Sequence, residues 1–238
     1  MHALPWLPRA ANPEPPDRLF PELLGPVAHQ AMIRDGITFR VHADLTIPAD
    51  VAVTPELRLA SLAVLVPSRC VVGRQAALWV HTGAHEPARV AVLVGPRIRR
   101  PDPHPGRTTH ECELTDADVV AFGDVRATSV QRTGLDLARW FPAHEAMELL
   151  APLCDTGFDA DSALRTLDSL GGYAGVRGAR STLARVASRQ GLAARITGAR
   201  IAEAHVSRAQ ADQARVSRVR VDQARITGCL AALAPVSR

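Results

Sequence analysis

The segment Thr128–Trp140 carries the polar side chains whose types and spacing could do chemistry. Arg132 and Asp136 are four positions apart, and Asp136 and Arg139 are three apart. On an α-helix these charges share one face and can form ion pairs. Because ion pairs also perturb charged groups at purely structural sites, we interpret Thr128, Arg132, Thr133, Asp136 and Arg139 as a capping and salt-bridge network that docks a helix on a sheet.

The same segment predicts where that helix begins. Thr128 or Ser129 can act as the N-cap, since a hydroxyl there accepts a hydrogen bond from an unpaired backbone N–H. An apolar face follows at roughly helical spacing, formed by Leu135, Ala138, Trp140, Met147 and Leu150. We therefore predict one helix over residues 129–151.

The slightly longer segment Val125–Arg139 carries a family resemblance. Its sequence, V-R-A-T-S-V-Q-R-T-G-L-D-L-A-R, resembles the V-x-V-T-[ST]-x-x-R-T-x-x-D-L-A-R signature of AbiEi-type antitoxins, in the actinobacterial form of these type IV toxin–antitoxin proteins. The flanks match in order and spacing over about residues 25–185: Arg34–Gly36, Ile47–Asp50, Thr54–Arg58, Leu114–Val120 and Gly175–Arg180.

The resemblance implies a non-catalytic regulator. Its N-terminal winged helix would bind the operator of its own operon, and the protein would counter a nucleotidyltransferase-type toxin. The polar groups of the helix and wing are then predicted to contact DNA, and so is a basic loop; these residues are His29, Gln30, Arg34, Arg40, His42, Arg97, Arg99 and Arg100. An acidic toxin surface is an alternative partner for the basic loop, and an ordinary solvated surface explains the same residues.

Two other functions stay open. A degenerate relative would keep the middle domain and lack DNA affinity, because the helices that precede a wing would fall in a proline-rich stretch. A nuclease of the repair-endonuclease type is disfavoured, since the acidic E-S-x-x-E stretch of longer relatives is absent and the chain contains no lysine.

Composition excludes several other classes. Without lysine there is no P-loop and no Schiff-base chemistry, and neither Gly-x-Ser-x-Gly nor Gly-x-Gly-x-x-Gly occurs. We predict no cofactor and no metal, although His81, His85, His110 and Cys112 lie near one another in sequence. Four cysteines without a C-x-x-C pair, no apolar leader and no long apolar run indicate a cytoplasmic protein with no membrane partner.

Charge separates the C-terminal region from the rest of the chain. Residues 184–238 contain ten Arg and three acids, a net charge of +7, whereas residues 1–183 carry −3. A ten-residue repeat runs through this end, visible in A-R-I-T-G at 194, A-H-V-S-R at 204, A-R-V-S-R at 214 and A-R-I-T-G at 224. Ten residues fit neither a straight helix nor a coiled coil, so a translated DNA repeat explains the period.

The pattern of elements predicts an α+β fold. We expect a Pro-rich arm (residues 1–24), a partial winged-helix-like element (25–54), an AbiEi-like antitoxin domain with a small mixed sheet packed with helices (55–190), and an Arg-rich repeat tail (191–238). Strands are expected at 71–72, 89–94, 108–114, 118–122 and 125–128, and helices at 27–35, 55–66, 74–81, 129–151, 159–170 and 174–190.

Overall fold

The computed structural model describes residues 21–43, 45–170, 172–198, 200, 203 and 208. Within them, the residues up to Val186 form one compact unit and those from Ala187 form another. In the second unit, residues 187–198 are helical. The predicted Pro-rich arm, except residues 21–24, and nearly all of the predicted repeat tail lie outside the described residues.

The N-terminal part of the first unit is a helix followed by a β-hairpin. After a short turn of helix, α1 (Pro21–Leu24), helix α2 (Pro26–Arg34) begins with a proline at its first position, where no N–H is needed. Gly36, with φ of 71°, turns the chain into strand β1 (Thr38–His42). Strand β2 (Leu45–Pro48) pairs antiparallel with β1, and a register shift falls between Arg40 and His42. The helix predicted at residues 27–35 is present, and the β-hairpin follows it directly.

A mixed sheet forms the centre of the unit. Its strands are β3 (Val71–Val72), β4 (Val90–Val94), β5 (Arg107–Glu111), β6 (Val119–Phe122) and β7 (Val125–Thr128). They lie in the order β5-β4-β3-β7-β6. The pairs β4–β5 and β3–β7 are parallel, and β3–β4 and β6–β7 are antiparallel. The mixed sheet with its helices confirms the α+β class.

Helices cover this sheet. They are α3 (Pro55–Ser61), α4 (Arg74–Thr82), α5 (Val130–Trp140), α6 (Ala143–Cys154) and α7 (Ala160–Ser169), and residues 176–186 are also helical. The core holds small and branched side chains from α3, α4 and the strands, among them Leu59, Val80, Val92 and Ala127. A chain with 4% aromatic residues thus builds its core from Ala, Val and Leu.

The prediction of one helix over 129–151 was wrong. Helix α5 ends at Trp140, and α6 starts at Ala143. Phe141 is extended, with φ of −111° and ψ of 151°, because the ring of Pro142 disfavours helical geometry in the residue before it. Trp140 consequently leaves the apolar face that we assigned to it, and 45% of its surface is exposed.

Candidate functional site

The polar residues predicted to contact DNA divide into buried and exposed groups. His29 is 1% exposed, and its Nε2 lies 3.0 Å from Thr46 Oγ1, so its ring fastens α2 to β2 inside the fold. Gln30, Arg34 and Arg40 are exposed. Arg34 donates through Nε to the neighbouring Asp35 at 3.0 Å. A buried ring makes His29 a structural group of this element.

His42 is half-buried at the end of strand β1. Its Nδ1 is 2.6 Å from Glu86 Oε1, and its ring packs at a tilt against Trp79 with centroids 5.3 Å apart. The loop that joins β4 to β5 holds the other predicted contact residues, Arg97, Arg99 and Arg100, all exposed. Arg100 makes a weak ion pair with Glu111 at 3.4 Å. The structure therefore places the loop cations at the β5 edge of the sheet.

The Arg132 guanidinium joins α5 to the segment that connects strands β5 and β6. It donates through Nε to Asp136 Oδ2 at 3.1 Å and through Nη1 to Asp118 Oδ2, also at 3.1 Å. Nη1 further donates to the Glu113 carbonyl at 3.1 Å, and Nη2 to Cys112 Sγ at 2.6 Å. The Arg132–Asp136 ion pair has the i,i+4 spacing noted in the sequence, whereas Cys112, Glu113 and Asp118 are partners of Arg132 that sequence reasoning missed.

Two threonines form a second, fully buried layer of the network. Thr128 Oγ1 and Thr133 Oγ1 are 2.7 Å apart, and both residues have no exposed surface. The carbonyl of Thr128 accepts a hydrogen bond from His81 Nε2 at 2.7 Å. Because a carbonyl only accepts, His81 carries its proton on Nε2. Ser129, one of the two predicted caps, closes the helix start by accepting from the backbone N–H of Arg132 at 3.3 Å.

Burial sets the protonation of this network. Burial raises the pKa of the Asp136 carboxyl, and the Arg132 cation opposes that rise. Although burial disfavours the Arg132 cation, Asp136, Cys112 and Asp118 together raise its pKa above the ordinary value. Burial also lowers the pKa of His81 and raises the pKa of the Cys112 thiol. A neutral imidazole, a neutral thiol and an ion-paired guanidinium are suited to a structural role.

Arg139 does not pair with Asp136, contrary to the simplest expectation from helical spacing. It donates through Nε and Nη2 to the Ala174 carbonyl, at 3.3 and 3.1 Å. Its guanidinium carbon also lies 5.3 Å from the centre of the Trp140 ring, and that of Arg74 lies 4.9 Å from it. Arg139 thus fixes the segment after α7 to the end of α5.

Two neighbouring clefts open beside Arg132. The larger has a volume of about 910 Å³, and its lining includes the apolar Val71, Leu93 and Leu135 together with Arg69 and Arg126. The smaller, of about 400 Å³, is lined by Arg139, Trp140 and Tyr173 among others. The adjacent Arg139 and Trp140 were the signal in the sequence that pointed to the second cleft. We missed it because we assigned Trp140 to the apolar face of the helix.

Neither a metal centre nor a membrane-crossing helix is present in the part of the chain that the structure describes. It contains no group of three or more His, Cys, Asp or Glu side chains able to hold a metal ion. His81 and His110 instead contact the Thr128 carbonyl and Arg74. No helix there has both the length and the hydrophobicity to cross a bilayer.

Comparison with known proteins adds no assignment. No family model matches the chain, and no curated protein matches it.

Proposed function

We propose that this protein is a non-catalytic, DNA-binding regulator of the AbiEi antitoxin kind, which represses its own operon and counters a nucleotidyltransferase-type toxin. One observation carries the proposal. Helix α2 and the β1–β2 hairpin are fastened by the buried pair His29–Thr46, while Gln30, Arg34 and Arg40 face solvent. Amide and guanidinium groups on a helix beside a β-ribbon are the groups that contact phosphates and base edges in winged helices.

The Arg132 network supports the non-catalytic part of the proposal. Arg132 commits Nε, Nη1 and Nη2 to groups of the protein itself, and its side chain is only 10% exposed. Asp136, which could otherwise act as a base, is 1% exposed and held by that guanidinium. Groups used in this way stabilise the docking of α5 and are not available to a substrate.

Charge supports the DNA-binding part. The loop residues Arg97, Arg99 and Arg100 offer further cations to a phosphate backbone, and the sequence from residue 184 onwards carries +7. Cations that neutralise phosphates release counterions, so each contact steepens the loss of affinity with salt. The C-terminal charge alone would give attraction without sequence preference.

The test is a salt-varied gel-shift titration of the full-length protein against the DNA upstream of its gene and against unrelated DNA. The variant Arg34→Ala/Arg40→Ala is compared with the matched control Arg165→Ala/Arg180→Ala, which also removes two guanidinium groups from the surface. We expect the first variant alone to lose upstream-DNA preference, and its logarithmic salt slope to fall by about 0.9 for each phosphate contact removed.

Other outcomes separate the alternatives. If both variants bind equally weakly and without preference for the upstream DNA, the affinity comes from the basic C-terminal sequence. That outcome would contradict the operator proposal. No binding by the wild type would favour the degenerate relative. Growth rescue on co-expression with a neighbouring nucleotidyltransferase-type gene tests the antitoxin part separately.

A further inference from the structure

The smaller cleft, of about 400 Å³, has an unusual aromatic lining for this chain. We call it the aromatic cleft and define it by Pro96, Cys112, Glu113, Arg139, Trp140 and Tyr173. Trp140 is 45% exposed and Tyr173 is 60% exposed. Because the sequence holds one tyrosine and three tryptophans, the sole tyrosine and one tryptophan share this cleft. Its volume falls within the range of small-molecule sites, about 300–1,000 Å³.

The backbone around the cleft is tightly packed, so the site is formed before any ligand arrives. Gly175 has a φ of 77°, and a Cβ on it would lie 2.3 Å from the Arg139 carbonyl oxygen. Arg139 in turn holds the Ala174 carbonyl with two donors. These contacts fix the segment that carries Tyr173 against the end of α5. A preformed site binds with a smaller loss of conformational entropy.

One cation and one anion at the cleft have atoms that are free to form hydrogen bonds with a ligand. Arg139 lies over the Trp140 ring and uses Nε and Nη2 on Ala174, so within the described residues its Nη1 has no hydrogen-bond partner. The exposed Glu113 carboxylate likewise has none there, since only its backbone carbonyl accepts from Arg132. Glu111, also in the lining, is paired with Arg100.

We propose that the aromatic cleft binds one nucleotide unit, a base with a single phosphate. The base stacks on the exposed ring of Tyr173, as bases do on exposed aromatic rings, and contacts the exposed part of Trp140, whose ring already meets Arg74 and Arg139. Arg139 Nη1 donates to the phosphate, and Glu113 accepts from an exocyclic amino group of the base. The acidic side chains of the lining disfavour a triphosphate, because its extra charges would be repelled. A free mononucleotide and a single strand of nucleic acid share this chemistry.

The test is equilibrium dialysis of the full-length protein with CMP, UMP, cytidine and inorganic phosphate, and with oligodeoxycytidine strands of increasing length. We expect saturable binding of CMP, weaker binding of cytidine and UMP, and none of phosphate. Tyr173→Ser is expected to weaken CMP binding about tenfold or more, whereas Tyr173→Phe keeps it, since stacking needs only the ring. Val64→Ser, which changes a side chain that is 93% exposed elsewhere, is the matched control.

The oligonucleotide distinguishes the two sources. Affinity that rises with strand length and is lost in Tyr173→Ser supports single-stranded nucleic acid, and equal affinity for CMP and the strand supports a free nucleotide. Absence of saturable CMP and strand binding, or binding unchanged in Tyr173→Ser, would overturn the proposal. Equal affinity for CMP and UMP would overturn the role of Glu113. The inference does not depend on operator binding, because Gln30, Arg34 and Arg40 take no part in it.

Discussion

Arg132 Nη1 and Asp118 Oδ2 lie 3.1 Å apart and join helix α5 to the turn before strand β6. The same Asp118 oxygen accepts from Thr115 N and Oγ1, each at 2.9 Å, so the turn is itself held rigid. Through this one carboxylate, the polar face of α5 and the entry to the β6–β7 hairpin are fixed together.

Removing the Arg132 cation should lower the free energy of unfolding. Arg132→Met leaves the carboxylate of Asp136, which is 1% exposed, buried without its partner. Breaking one side of a buried pair costs about 3–5 kcal/mol in the free energy of unfolding. The double variant Arg132→Met/Asp136→Leu should recover much of that loss, because it removes both desolvated charges.

Urea titrations of Arg132→Met, Asp136→Leu and the double variant measure this coupling. The control is Arg180→Met, whose ion pair with Asp168 at 2.8 Å is exposed; it should cost less than about 1 kcal/mol. A double variant as unstable as Arg132→Met would contradict the desolvation argument.

Gly134→Ala should destabilise the protein, although alanine normally stabilises a helix relative to glycine. A Cβ at position 134 would lie 2.2 Å from the Phe158 ring, which is 2% exposed and cannot move into solvent. Overpacking of this kind costs about 1–3 kcal/mol. At the helical position Gly178 nothing lies within 4 Å, so Gly178→Ala should stabilise by about 0.5–1 kcal/mol. Thermal melts of the two variants should move in opposite directions.

The stability of the fold should fall on mild acidification. Burial lowers the pKa of His81 and of His110, so below the unfolded value of about 6.5 the unfolded chain binds more protons than the folded protein. The contribution of each neutral imidazole is therefore complete above that value and is lost as the pH falls towards the lower folded pKa. Protonation of His110 would also abolish the acceptor that Arg74 Nη1 uses at 3.1 Å.

Urea midpoints measured from about pH 7.5 to 5.5 test the sign of this linkage. His81→Gln keeps a donor for the Thr128 carbonyl and removes the titrating group, so its midpoint should depend less on pH. His144→Gln, at an exposed position, is the matched control. A steeper pH dependence in His81→Gln would be the opposite of what burial requires.

The stability of helix α5 should depend on its N-cap residue, Ser129. Ser129→Ala removes the acceptor of the Arg132 backbone N–H and should cost about 1 kcal/mol. Ser129→Asp keeps an acceptor at the positive end of the helix and should restore most of that stability. Equal losses in both variants, measured by chemical denaturation, would show that the hydroxyl acts elsewhere.

Much of the fold could be predicted from the sequence because its signals are local. A continuous run of β-branched and other apolar residues marked strands such as Val90–Val94. Arg132, Thr133 and Asp136 could be assigned to one docking network, since helical spacing alone puts the two charges on one face. The wrong prediction of one helix over residues 129–151 also had a local cause. The apolar pattern was extended across Pro142, although a proline there indicates a break in the helix.

The partners of these residues had to come from the tertiary structure. Cys112 and Asp118 reach Arg132 from positions 20 and 14 residues away, and the burial of His29 depends on where β2 places Thr46. Trp140 and Tyr173 share a cleft only because Arg139 ties the segment after α7 to the end of α5. Sequence by itself determined the elements, since propensity and periodicity act within a few residues. Strand order, burial and the aromatic cleft required the packed chain, because contacts between distant segments depend on closing the loops between them.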